Sequence, residues 1–365
     1  MENKLTMRHS GVELLRIFAA CFVVATHYFN PQIGGALLVI NGGGKLLFVN
    51  AIIAVCCCAV NCFVLITGYY SFNSKPERPF GKPFYLFLQV VLFHFLTYAI
   101  LILTGENKLE LHTLIALFLP TNYFVSLYIA LYFISPLVNK LLNTLSKVAF
   151  QRTLIILVVL FSIYPSLMDV MREISGNELL GTSTIGLWGS QYGYTIVNFV
   201  LVYVIGAYLR KFDIPEKVNI RKWSLYVVLC TVAVFIWKFT VMHFHEMGES
   251  SAFSYLNPFV IFLSVSLFGL FSRMNIHSKI VNELAGAAFT CFLFHQTVIK
   301  YIGISEYASG SMGVLVLHFT LSIICIYILS YFVFKLLNLV LGSLIRRLNR
   351  YYLTYEEESS FISKK

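Results

Sequence analysis

Charge is scarce in this sequence. Of 365 residues only 12% are Asp, Glu, Lys or Arg, against about 25% in a soluble domain. That shortage excludes an ordinary soluble enzyme or binding module. Paired cysteine motifs are missing too. The eight cysteines (Cys21, Cys56, Cys57, Cys58, Cys62, Cys230, Cys291 and Cys325) lie in apolar stretches with no CxxC framework, so neither disulfides nor a metal ribbon is expected. Free Cys in such surroundings acts as a small hydrophobe. GGGK at 42–45 lacks the spacing and the following Ser or Thr of a phosphate loop. There is no G-x-S-x-G elbow for a serine nucleophile. His243 and His245 in MHFHEM are two apart, which on a helix places them on different faces. With Glu246 they lack a further ligand set, so no metal site is expected. No transporter-like internal repeat, low-complexity tract or second soluble domain is visible.

What fills the chain is apolar. Hydrophobic residues make up 58%, with 33 Phe and 22 Tyr, and the mean hydropathy is +0.77. Windows of about twenty residues predict about ten membrane spans. They run near 11–30, 48–70, 84–104, 121–143, 151–170, 194–210, 223–243, 254–272, 284–303 and 313–342. The fold class is therefore all-α, a polytopic integral membrane protein. Glu13 and Arg16 interrupt the entry to the first segment and no small-x-small cleavage site follows His27. That segment reads as a retained helix rather than a signal peptide. Residues 113–120 are too short to span and read as interfacial or re-entrant. The last span is long enough to continue beyond the membrane. A membrane domain over 1–350 and a polar cytoplasmic tail over 351–365, ending in the disordered stretch YEEESSFISKK, complete the division.

The basic residues supply an orientation. With the N-terminus in the cytoplasm, twenty of the 27 Lys and Arg fall in or beside inner segments and five beside outer ones. The positive-inside rule then places both termini in the cytoplasm, and the pattern fits a cell inner membrane. Nucleic acid is excluded as a partner, because the positive charge is spread over six inner segments and makes no single patch.

Two polar side chains stand inside the first span, Arg16 and His27 in RIFAACFVVATH. Eleven helical steps of about 100° bring them to the same face, about 16.5 Å apart along the axis. Ionisable groups inside a bilayer are costly and mark functional sites. Glu13, three residues before Arg16, pairs with it on that face. A neutral His is the usual base for a hydroxyl, and a guanidinium binds phosphate through paired hydrogen bonds. A coenzyme A thioester, with phosphates at one end and a reactive carbonyl at the end of a thin arm, fits such a line. A transporter using the same line as a substrate or proton path is the rival. It lacks the paired broken helices of repeated halves.

Several blocks resemble the acyltransferase 3 superfamily over nearly the whole chain. ELLRIFAACFVVATHYF resembles its first helix with the Arg-x10-His signature. CFVLITGYYSF (62–72) is similar to "FFxxSGY", with Thr67 where Ser is usual. NYFVSLYIALYFISPLVNKLL (122–142) resembles "YWFxxxYxxLYxxSPxLN". NFVLVYVIGAYLRKF (198–212) resembles "FxxxYxxGAYLR", and AFTCFLFHQ (288–296) resembles "TFGxYLxH", departing at Cys291 and Phe292. The resemblance implies transfer of an acyl group, usually acetyl, from acyl-coenzyme A to a hydroxyl of a surface or lipid-linked glycan. No permanently bound cofactor is implied. Carried over, His27 is the catalytic base and Arg16 binds the donor. Arg78 and Lys82 hold further phosphates, and Glu13 and His295 are supporting residues. Tyr69, Tyr128 and Tyr203 read as packing or interfacial residues.

Overall fold

Inside a bilayer the backbone has no water to bond, so apolar runs of span length close their own hydrogen bonds as helices. The computed structural model describes residues 9–73, 80–119, 122–244 and 251–362. Among these it is almost entirely helical and contains no strand. We number the longer helices α1 (Ser10–Phe29), α2 (Gly43–Cys56), α3 (Ala59–Ser71), α4 (Gly81–Leu103), α5 (Tyr123–Thr144), α6 (Lys147–Ser175), α7 (Ile196–Lys211), α8 (Ile220–Phe244), α9 (Pro258–Ser272), α10 (Ala288–Ile299) and α11 (Met312–Ile362). α2 and α3 form one rod, Gly43–Ser71, interrupted at Cys57 and Cys58. A π-helical turn at Val159–Ile163 interrupts α6 just before Pro165.

Eight described helices are long and apolar enough to cross a membrane. The two remaining expected spans coincide with shorter helices, α7 and α10. α7 has 16 residues, about 24 Å of rise, and is mostly buried, so it need not match the lipid thickness. α10 is short because a 3-10 turn at Ala285–Ala287 precedes it. Direction argues that both cross. Ser10 bonds Ser278 at the start of α1, while His27 near its end meets His295 of α10. The two helices therefore run parallel. Parallel spans need an odd number of crossings between them, and the long helices supply six. α7 supplies the seventh. α3 and α7 also run parallel, with Asn61 on Asn198 at one end and Tyr69 on Arg210 at the other.

The helices divide into an inner set and an outer set. Gly43–Ser71 and Ser251–Ser272 are mostly buried within the protein, whereas only a small share of α6, α8 and α11 is buried and each turns several large apolar side chains outward. The centre of the inner set is the α3–α7 seam. A Cβ on Gly68 would lie 2.3 Å from the Tyr203 carbonyl oxygen, and one on Gly206 would lie 2.4 Å from that of Leu65. Small residues thus let two membrane helices approach to backbone contact. Polar pairs lock the seam. Asn61 donates to the Tyr255 carbonyl at 2.7 Å, and the fully buried Tyr203 donates its hydroxyl to Asn139 at 2.9 Å.

α11 runs to Ile362, so the stretch read from sequence as disordered is helical over most of its length. After Gly342 no Gly or Pro stops it, and Leu, Arg and Glu favour helix. The segment expected at 113–120 overlaps a six-residue helix, Leu111–Ala116, none of whose residues is buried. His245 and Glu246 lie outside the described residues.

Candidate active site

α1 carries its two polar residues to opposite ends of one face, and α10 is the neighbour at both. At the first end Arg16 and Glu13 border a cavity of about 380 Å³ whose wall also includes Thr67, Lys82, Tyr128 and Phe292. That volume is within the range of about 300–1,000 Å³ for small-molecule sites. Glu13 and Arg16 pair loosely, Oε2 to Nε at 3.9 Å. The Arg16 side chain is 39% exposed, yet its Nε is buried and has no hydrogen-bond partner among the described residues. Lys82, in the first turn of α4, donates to the Tyr128 hydroxyl at 3.3 Å and lies over the rings of Tyr128 and Tyr132. Thr67 Oγ1, bonded to the Phe63 carbonyl at 2.9 Å, is 3.4 Å from the same hydroxyl. The cavity therefore brings together two cations, one carboxylate and several hydroxyls. Arg78 lies outside the described residues. Arg210 does not line the cavity; its guanidinium is spent on Tyr69, 5.2 Å from the ring centre.

At the other end, His27 Nδ1 is 2.6 Å from His295 Nε2. The ring planes are within 16° and the centroids 4.7 Å apart. His295 is 1% exposed, and its Nδ1 lies 3.1 Å from the Cys291 carbonyl oxygen one turn earlier. Neither histidine lines the Arg16 cavity. Phe292 stands between, lining the cavity on one side with its ring 6.2 Å from that of His295 and 4.8 Å from Phe124. The loop after α4 ties down the far end of α10 through Glu106 and Lys300. The Lys300 ammonium holds the Glu106 carboxyl below the usual carboxylate range.

A cation-lined cavity and a paired histidine on one helix face are the parts an acyl transfer would need. Residues 9–335 match the acyltransferase 3 family model, an acyltransferase domain. The chain belongs to the acyltransferase 3 family. No curated protein and no solved structure matches it. Family membership makes this chain an acyltransferase with a multi-pass membrane domain, and decides between enzyme and transporter.

Within this acyltransferase the structure unites Arg16, Glu13 and Lys82 at one cavity and joins His27 to His295. Sequence reasoning missed one contribution of Tyr128, which read as packing or interfacial; it does pack against the core, and it also lines the cavity beneath Lys82. It also missed Phe292 as the partition. Nothing in the one-dimensional pattern separates a cavity-lining Tyr from a packing one, because Lys82 and Tyr128 are 46 positions apart in the chain.

Proposed function

We propose that this membrane acyltransferase moves an acyl group, acetyl as the family resemblance implies, from acyl-coenzyme A to a hydroxyl of a surface or lipid-linked glycan. The reading rests on one observation: a single face of α1 bears a cation beside a cavity at one end and, at the other, a histidine whose second ring nitrogen has no hydrogen-bond partner among the described residues. The donor phosphates bind Arg16 and Lys82, with Arg78 assigned by motif alone. The thin arm passes Phe292 toward His27. In line with the basic-residue distribution, the cavity opens to the cytoplasm, both termini lie there, and the protein sits in the cell inner membrane.

The reaction balances within this frame. His27 Nε2 takes the proton of the acceptor hydroxyl as its oxygen attacks the thioester carbonyl. The carbon–sulfur bond then breaks, and the departing thiolate receives that proton from His27 to give free coenzyme A. General-base assistance of this kind contributes about 10²–10⁴-fold.

The test uses membranes carrying wild-type protein or His27→Ala and acetyl-labelled acetyl-coenzyme A. Label is followed into glycan and lipid-linked glycan fractions alongside release of free coenzyme A. Transfer that disappears with His27→Ala supports the reading and identifies the acceptor fraction. Undiminished transfer by His27→Ala removes His27 from the chemistry.

A further inference from the structure

We infer that His295 is a positioning residue that fixes the protonation pattern of His27, so that the outward ring nitrogen, Nε2, is the one able to accept a proton. The inference rests on the proposed role of His27 as the base and assigns His295 a specific part in it.

The argument runs from an atom whose hydrogen-bonding role is fixed. The Cys291 carbonyl oxygen can only accept. It lies 3.1 Å from His295 Nδ1, so that nitrogen carries a proton. A neutral His295 then has a bare Nε2. That lone pair faces His27 Nδ1 at 2.6 Å, a hydrogen-bonding distance at which a second lone pair would only repel it, so one of the two nitrogens has to be the donor. His27 Nδ1 must therefore be the protonated nitrogen, and Nε2, on the far side of the ring, is left with its lone pair. No hydrogen bond to that Nε2 is made by the described residues.

The alternative is a doubly protonated His295 donating to His27. It would place a full charge on a ring that is 1% exposed and that no carboxylate pairs with among the described residues. Burying an unpaired charge is among the costliest arrangements in a protein. Neutral tautomers in series are the pattern that remains: carbonyl, His295, His27, substrate.

The consequence is chemical. With free rotation and free tautomer exchange, His27 would spend part of its time with a proton on Nε2, unable to act as base. Holding the other nitrogen protonated is the service the buried carboxylate performs in a Ser-His-Asp triad. Here a second imidazole does it without adding a negative charge inside the membrane. α10 supplies both members of that support, since Cys291 and His295 are one helical turn apart.

The experiment compares full-length His295→Leu, His295→Gln and His27→Ala in membranes, measuring kcat and the KM for acyl-coenzyme A. Gln keeps an oxygen to accept from His27 and an amide N–H to donate to Cys291; Leu keeps neither. The expected result is a kcat loss of about 10²–10⁴-fold for His295→Leu with KM unchanged, and recovery of most of that loss in His295→Gln. Wild-type kcat in His295→Leu, alongside an inactive His27→Ala, overturns the positioning role and leaves the base intact. Equal loss in the Gln and Leu variants overturns it as well. Full activity in His27→Ala instead brings down the underlying reading. Coenzyme A binding to each detergent-solubilised variant establishes that it is folded.

Discussion

At one end of α1, Arg16 stands beside a cavity with its Nε unbonded among the described residues and Glu13 3.9 Å away; at the other, His27 is drawn to 2.6 Å from a buried His295. The same helix face thus carries a loosely held donor at one end and, at the other, a ring fixed through one nitrogen with the second left open. Unused donors beside open space suit a ligand that brings its own negative charge. A tightly held ring suits a step in which proton position matters more than affinity. Phe292, touching both environments, keeps them apart. The difference implies that substitutions near Arg16 act mainly on donor affinity and those near His27 mainly on turnover.

The strongest way to break this comparison is His27→Ala, expected to lower kcat by about 10²–10⁴-fold while donor affinity stays at the wild-type value. Direct titration of coenzyme A, paired with turnover rates, checks it. A Kd that rises with the loss of turnover would merge the two ends into one binding site.

Arg16→Ala is the mirror image. Loss of a charge-assisted hydrogen bond of about 1.5–3 kcal/mol weakens the donor Kd by roughly tenfold to a hundredfold, with kcat at saturating donor close to wild type. Tyr128→Phe sharpens the contrast at smaller scale. It removes the hydroxyl that orients Lys82, for about 0.5–1.5 kcal/mol, so KM rises a few-fold to about tenfold.

The smallest effect belongs to Glu106→Gln, which cuts the tie at the far end of α10. Glu106 titrates below its ordinary range because of Lys300. Its stabilising contribution is complete above the unfolded carboxylate pKa of about 4.3 and is lost as pH falls through the lower folded value. At neutral pH, melting of the purified protein should barely change, as for most exposed pairs. Once pH has fallen below that lowered folded value, the variant and the wild type should converge.

Most of the architecture was legible in the chain because lipid imposes a length and a composition on every crossing. The expected spans lie within about five residues of the helices that carry them, except that α11 runs on to Ile362, well past the expected end of the last span. The two helices that fall short in length are those packed inside the protein, where lipid thickness does not set the requirement. Arg16, Glu13 and His27 were legible through helical periodicity, which is a local property. Contacts between distant segments were not. His295 was expected as a supporting residue through motif resemblance, but its bond to His27 joins residues 268 apart. Tyr128 and Phe292 show the same limit. Apolar and aromatic residues look alike in a span whether they meet lipid, another helix or a cavity.

The Gly68–Gly206 seam also bears on how the chain is made. α3 enters the membrane carrying Asn61, whose partners are Asn198 and the Tyr255 carbonyl. Both arrive more than a hundred residues later. During synthesis the second crossing must wait with an amide in lipid until the sixth is threaded beside it. Assembly of the inner set is therefore a late event, and a chain stopped before residue 196 would leave Asn61 without either of these partners.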